Sequence, residues 1–347
     1  MTHMSVGDAL GGTSGLDGVL VALPKAELHM HLESSMRPST AAELADRSGR
    51  PMPRNGPFAG LEEFVGEYEV ARDLVGTLDD LRRIAAELVE DATRQGVVWS
   101  EVHLIPATYA GRLGPDEAVL EAALDGFGHS AGAPSAGVIL GINRGLGMDA
   151  AEHSLRLAVA YAPAGVVGLG LAGDEANNPA ARFSGVFARA RGAGLLALPH
   201  AGEGAGPDSV RACVEDLGAR RICHGVRASE DPAVVDLLVE RGVCLDVCPS
   251  SNVSLGVSPS MREHPLPQLL ESGVLLTLNS DGPLFSGATV NDEYRLAREV
   301  FGLDWTVLKD IARTSLTVSS CPADRRTAAL TRLDAWSADT GGAEPRH

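Results

Sequence analysis

What this sequence lacks narrows the field before anything it contains. Its five cysteines (Cys213, Cys223, Cys244, Cys248 and Cys321) are odd in number and form no CxxC pair, which argues against a disulfide framework and for a reducing compartment. Cys244 and Cys248 flank an apolar run and read as small core residues. No Lys/Arg-rich run occurs, and 46 acidic against 29 basic residues leave a net charge of −17. Such a surface repels phosphate backbones and anionic lipid, so nucleic acid and membranes are poor partners and a small neutral or cationic ligand fits better. No stretch approaches a membrane span, and the opening MTHMSVGDALGGTSGLDG has neither a basic nor an apolar signal region. The expected location is the cytoplasm.

What is present is material for one large core: 44% hydrophobic and 22% charged residues in a chain of 347, a length that α/β barrels reach as single domains. Residues 1–18 and 336–347 are small and polar without a sustained period, and are expected to be disordered. Residues 19–335 alternate between two patterns. Eight short apolar runs of β type fall at 26–32, 97–105, 136–143, 166–173, 194–202, 220–225, 243–249 and 274–281. Between them lie helical patterns such as 78–96, 116–127, 150–162, 208–218 and 231–242, several with acidic starts and glycine stops. Eight strands alternating with helices predict a closed parallel (β/α)8 TIM barrel. The stretch between the first two strands holds extra helices, and residues 58–68 are candidates for a lid over the barrel mouth.

Barrel enzymes build their sites where the C-terminal ends of the strands converge, and the unusual polar residues of this chain fall there. His29 and His31, two apart near the end of the first run, point their rings to one side. His200 lies near the end of the fifth run, His224 in the sixth, and Asp281 closes the eighth. A lone strand-end histidine is more often a satisfied polar residue than a ligand, but five such residues at four strand ends make a donor set for one zinc ion: His29, His31, His200 and Asp281, with a position left for water. Zinc lowers the pKa of its water from about 16 to about 7 and makes it a nucleophile near neutral pH. Glu203, three residues beyond His200 in HAGE, is placed to act as a general acid.

Several motifs carry a family likeness: PKAELHMHLE near the start, LAGDE at 171–175, HAGE at 200–203, RICHG at 221–225, CPSSN at 248–252 and LNSDGPLF at 278–285. With these the sequence resembles the adenosine deaminase family of the amidohydrolase superfamily, from about Pro24 to Leu330. The resemblance implies that His29, His31, His200 and Asp281 bind zinc, that Glu203 gives a proton to the purine ring nitrogen beside the attacked carbon, and that His224 orients the water and stabilises its charge. It also implies that the Gly173 backbone bonds another ring nitrogen and that the substrate is a small adenine-type nucleoside, with His31, Glu33, Gly173 and position 282 around it.

The departures bear on substrate. The family usually carries two consecutive aspartates after strand eight, the second accepting a hydrogen bond from the purine's imidazole ring, and here that position is Gly282. Losing such an acceptor costs a ligand with an unpaired donor about 1–3 kcal/mol. Glu33 and Ser34 stand where the family more often shows Asp or Glu and then Gly, facing the sugar, and His103 stands where Arg is common. These features predict hydrolytic deamination of an adenosine-like, modified nucleoside. Two alternatives stay open: a metal-dependent deaminase or amidohydrolase of another heterocycle, and a retired ligand-binding homologue, whose metal set would have decayed.

Overall fold

The computed structural model describes residues 14–129, 132 and 135–338. Eight strands, β1 (Lys25–His31), β2 (Val97–Leu104), β3 (Ala136–Asn143), β4 (Val166–Ala172), β5 (Leu196–Ala201), β6 (Arg221–His224), β7 (Cys244–Val247) and β8 (Leu275–Leu278), pair in parallel in sequence order. The ring closes at a Met30–Asp281 bridge, where Asp281 N–H donates to the His29 carbonyl at 3.1 Å and His31 N–H to the Asp281 carbonyl at 3.0 Å. Side chains lengthen this short seam: Leu28 N–H donates to Asn279 Oδ1 at 2.7 Å and Ser280 N–H to Glu27 Oε1 at 3.1 Å. This is the expected (β/α)8 barrel. Helices cover its outer face, so the strands are buried almost throughout and read as near-continuous apolar runs in the sequence.

The observed strands begin close to where the apolar runs do, but the later ones stop short. The runs 220–225, 243–249 and 274–281 contract to Arg221–His224, Cys244–Val247 and Leu275–Leu278. Part of the cause is backbone conformation: His224 and Asp281 have φ of 64° and 61°, in the left-handed region that ends an extended ladder and that few residues other than glycine enter without cost. Both residues belong to the strand-end polar set.

α1 (Ser14–Ala22) begins inside the stretch expected to be disordered. Leu20 and Leu23 are fully buried in the core, and Asp17 pairs with Arg295, so apolar spacing and an ion pair fix the segment. The expectation for residues 1–13 lies outside the described residues. At the other end Trp336 packs edge-on against Trp305, 5.7 Å between ring centroids, and residues 339–347 lie outside the description.

Three helices separate β1 from β2: α2 (Pro38–Ser48), α3 (Leu61–Leu74) and α4 (Leu78–Arg94). α4 starts at a capping box in which Thr77 and Asp80 satisfy each other's backbone donors. α3 contains most of the 58–68 stretch and lies across the mouth. Among the described residues no helix is long and apolar enough to cross a membrane.

Candidate active site at the barrel mouth

β1 delivers His29 and His31, β5 delivers His200, β6 ends on His224, and Asp281 follows β8. His200 Nε2 lies 3.1 Å from both His29 Nε2 and His31 Nε2. Asp281 Oδ1 lies 3.6 Å from His29 Nε2 and 3.5 Å from His31 Nε2. Tautomer follows from the surroundings: His29 Nδ1 faces the Asp246 carbonyl at 3.2 Å and so carries the proton, leaving Nε2 with its lone pair aimed into the cluster. Burial, partly offset by the Asp281 charge, holds the His29 and His31 rings below their ordinary pKa; burial and the neighbouring imidazoles hold His200 well below. Asp281 titrates low despite burial, because the His29, His31 and His224 rings and the Ser251 hydroxyl, at 2.6 Å, favour its anion.

Neutral nitrogens turned on one another beside a carboxylate are a poor arrangement alone and a good one around a cation. Four donors about 2.0–2.2 Å from a shared ion stand about 3.3 Å apart in a tetrahedron, and the four spacings that link His200 and Asp281 to His29 and His31, 3.1 to 3.6 Å, are of that size. The donor set therefore fits a divalent ion.

Beside the cluster, Glu203 Oε1 is 3.2 Å from His224 Nε2. Burial first, then the charges of Asp281 and Glu175, hold the Glu203 carboxyl well above the usual carboxylate range, so it holds its proton to higher pH than an exposed glutamate does. Burial pushes His224 down to about 3, leaving a neutral ring. A cavity of about 120 Å³ opens over these groups, lined by His31, His200, Glu203, His224, Asp281 and Gly173 and roofed by Leu61, Phe64, Val65 and Tyr68 of α3. A larger hollow of about 610 Å³ lies outside β1 and includes none of this cluster. Its Arg37 and Arg295 are already paired with Asp91 and Asp292.

The sequence-predicted residues do not all meet the cavity. Gly173 does, at φ 95°, where a Cβ would come 3.1 Å from Asn143 Oδ1. Glu33 is 2% exposed and accepts hydrogen bonds from Tyr68 Oη at 2.5 Å and Tyr109 Oη at 2.7 Å, so its carboxylate braces α3 against the barrel and is absent from the cavity lining. Gly282 is absent from the lining too: a Cβ built on it would lie 2.8 Å from both Cβ and Oγ of Ser34. His103 stacks under His31, 4.8 Å between centroids and 21° between planes, and touches Cys223 Sγ at 3.4 Å.

Sequence reasoning missed the residues that hold the site in place. Glu175 accepts from four successive amides of the loop bearing Glu203: Gly202 at 2.7 Å, Glu203 at 3.3 Å, Gly204 at 2.8 Å and Ala205 at 3.0 Å. Arg144, 1% exposed, donates to the His200 carbonyl at 2.6 Å and the Asn178 carbonyl at 2.8 Å. Asn252 contacts His224 Nδ1 at 3.2 Å. Glu175, Ser251 and Asn252 sit inside motifs visible in the sequence, but only the fold brings them to their partners.

A parallel barrel with its acids, imidazoles and one cavity gathered at the strand C-termini belongs to the class of (β/α)8 barrel enzymes. The adenosine deaminase family model matches residues 24–336, and the chain belongs to that family. A Streptomyces virginiae protein provisionally named an adenosine/adenine deaminase is 40% identical over 330 residues, covering 91% of this chain and 97% of its own length. An aminodeoxyfutalosine deaminase of Streptomyces coelicolor is 33% identical, covering 93% and 87%. Among solved structures, the adenine deaminase of Arthrobacter aurescens superposes with a TM-score of 0.83 at 29% identity, covering 90% of this chain and 99% of its own. The chain is a deaminase of the adenosine/adenine type.

Proposed function

We propose that this deaminase is zinc-dependent, binds one ion per chain through His29, His31, His200 and Asp281, and removes the exocyclic amino group of an adenine-type nucleoside or derivative by hydrolysis. The observation that carries the reading is the geometry of the cluster: His200 Nε2 lies 3.1 Å from His29 Nε2 and from His31 Nε2, Asp281 Oδ1 lies 3.5 to 3.6 Å from the same two nitrogens, and the buried Glu203 carboxyl stands beside them, 3.2 Å from His224 Nε2. The ion, when bound, supplies a Lewis acid that activates water at neutral pH. Glu203 holds the proton that the ring nitrogen beside the attacked carbon takes up, which makes that carbon electrophilic. His224, neutral and fixed beside Glu203, faces the side on which negative charge develops. Gly173 offers backbone to the ring edge, and the apolar roof of Leu61, Phe64 and Val65 keeps bulk water from the reacting carbon.

The relatives' names differ in substrate, covering adenosine or adenine and aminodeoxyfutalosine. Gly282 supplies no side-chain acceptor and lies outside the cavity lining, so an adenosine bound here would go without the hydrogen bond that the family's second aspartate gives its imidazole ring, which favours a substrate other than plain adenosine. A second reading follows from the same glycine: the metal chemistry acts on a different nitrogen heterocycle. Ammonia release from adenine, adenosine, aminodeoxyfutalosine and N6-substituted adenosines separates the two, and turnover of no 6-aminopurine by zinc-loaded protein sinks the first. Chelation abolishes activity on this reading, and zinc restores it. Metal analysis finding no bound divalent ion, with no activity after zinc is added, favours a retired homologue.

A further inference from the structure

His224 is the end of a buried hydrogen-bonded chain that starts at a backbone amide. Leu266 N–H donates to His264 Nδ1 at 3.1 Å. His264 Nε2 stands 3.1 Å from Asn252 Oδ1, and Asn252 Nδ2 stands 3.2 Å from His224 Nδ1. All three side chains are almost completely buried: His264 is 3% exposed, Asn252 0% and His224 1%.

The first donor fixes every later one. A backbone N–H can only donate, so His264 Nδ1 must accept, and a neutral imidazole then carries its proton on Nε2. That proton needs an acceptor, which sets Asn252 with Oδ1 towards His264 and Nδ2 towards His224; the flipped amide would set a donor against a donor. Asn252 Nδ2 therefore donates to His224 Nδ1, and the proton of His224 sits on Nε2, facing Glu203 Oε1 at 3.2 Å and Asp281 Oδ2 at 4.0 Å. Burial pushes His264 down to about 4, which agrees with a neutral ring that relays one proton direction.

We propose that Asn252 and His264 are positioning residues that lock His224 as an Nε2–H donor, so that His224 stabilises charge on the attacking oxygen and does not take a proton from it. A base at Nε2 needs a lone pair there, and the chain from Leu266 leaves none. A neutral donor, already oriented, meets developing negative charge without reorganising. Neither Asn252 nor His264 lines the cavity, so both act through His224 alone. The proposal deepens the functional reading and rests on it only where turnover is measured.

Neutron diffraction from deuterium-exchanged crystals of the zinc-loaded enzyme reads the tautomer directly. A deuteron on His224 Nε2 and none on Nδ1 is expected, and a deuteron on Nδ1 overturns the proposal. In solution, Asn252→Asp puts an acceptor opposite Nδ1, draws the ring proton there and bares Nε2. By analogy with wrong-tautomer variants of hydrolytic triads, its kcat should fall roughly a hundredfold or more, with bound zinc unchanged, and KM should stay within about threefold. His264→Phe frees the amide to turn and should cost about tenfold, the scale of a lost supporting contact. Undiminished kcat in folded, zinc-loaded Asn252→Asp overturns the proposal; if that variant does not fold, the neutron result decides. A wild-type enzyme active on no 6-aminopurine would defeat the functional reading and leave the neutron outcome intact.

Discussion

The same strands carry two buried polar clusters of opposite character. Near the start of β6, Arg221 is 3% exposed and donates to Glu101 Oε2 at 2.7 Å, Asp246 Oδ2 at 2.9 Å and the Leu28 carbonyl at 3.2 Å. Thr277 Oγ1 bonds the other Asp246 oxygen at 2.7 Å, and Ser320 N–H the other Glu101 oxygen at 2.6 Å. Every charged group there is hydrogen-bonded, one guanidinium serving two carboxylates. Further along, β2 and β6 present His103 and His224, β5 adds His200, and there the accounts are left open: His103 Nδ1 and His200 Nδ1 are buried without partners, and ring nitrogens face one another at 3.1 Å. A buried polar group normally finds a partner. The lower cluster obeys that rule and ties strands together; the upper one departs from it at the barrel mouth, beside the cavity and around the proposed metal ligands.

Breaking the upper cluster should therefore cost activity, and breaking the lower one stability. Glu203→Gln keeps the shape of the acid and removes its proton transfer, so turnover should fall by roughly 10²–10⁴-fold, while bound zinc and melting temperature hold. Ammonia release, metal analysis and a thermal melt on one preparation check this, and retained turnover would take Glu203 out of its role. Arg221→Met should do the reverse. It leaves Glu101 and Asp246 buried without their counter-ion, which costs about 3–5 kcal/mol, measured as a lower urea midpoint. Folded Arg221→Met at low temperature should keep its kcat within about threefold, since Arg221 does not line the cavity and reaches the site only through Asp246, the Leu28 backbone and its charge. A stable, inactive variant would mean that the two clusters are coupled more closely than their hydrogen bonds indicate.

Most of the barrel is legible in the sequence because buried parallel strands announce themselves as apolar runs, and because His29, His31, His200, Glu203 and Asp281 fall at the ends of those runs. The groups that stayed hidden share a physical reason. Glu175, Arg144 and Asn252 act on residues 27 to 56 positions away, and His264 reaches His224 only through Asn252, and no periodicity encodes such meetings. Glu33 shows the converse: its neighbourhood in sequence points to the substrate, but Tyr68 and Tyr109, from α3 and the segment after β2, claim its carboxylate. The start of α1 was hidden by glycines, since a helix this poor in formers is held by what it packs against and not by its own propensity.

The smallest expected effect concerns the substitution that set substrate in question. A side chain at 282 meets Ser34 before it meets anything else: the built Cβ lies 2.8 Å from Ser34 Cβ, with Phe285 next at 3.4 Å. Ser34 cannot swing away freely, because its Oγ bonds the His31 carbonyl at 3.1 Å and the Asp281 carbonyl at 3.3 Å. Glycine at 282 has no need of its special backbone freedom here, its φ being −142°, so the requirement is one of space. Gly282→Ala should accordingly lose about 1–3 kcal/mol by overpacking, and Ser34→Gly in the same chain should recover most of it, a coupling that a double-mutant cycle of unfolding free energies reads directly. Additive losses would show that the two positions are independent. With room made by Ser34→Gly, Gly282→Asp should then improve kcat/KM for adenosine by about 1–3 kcal/mol if the acceptor reaches the imidazole ring. No gain would mean that this cavity holds its substrate in a pose to which position 282 does not contribute.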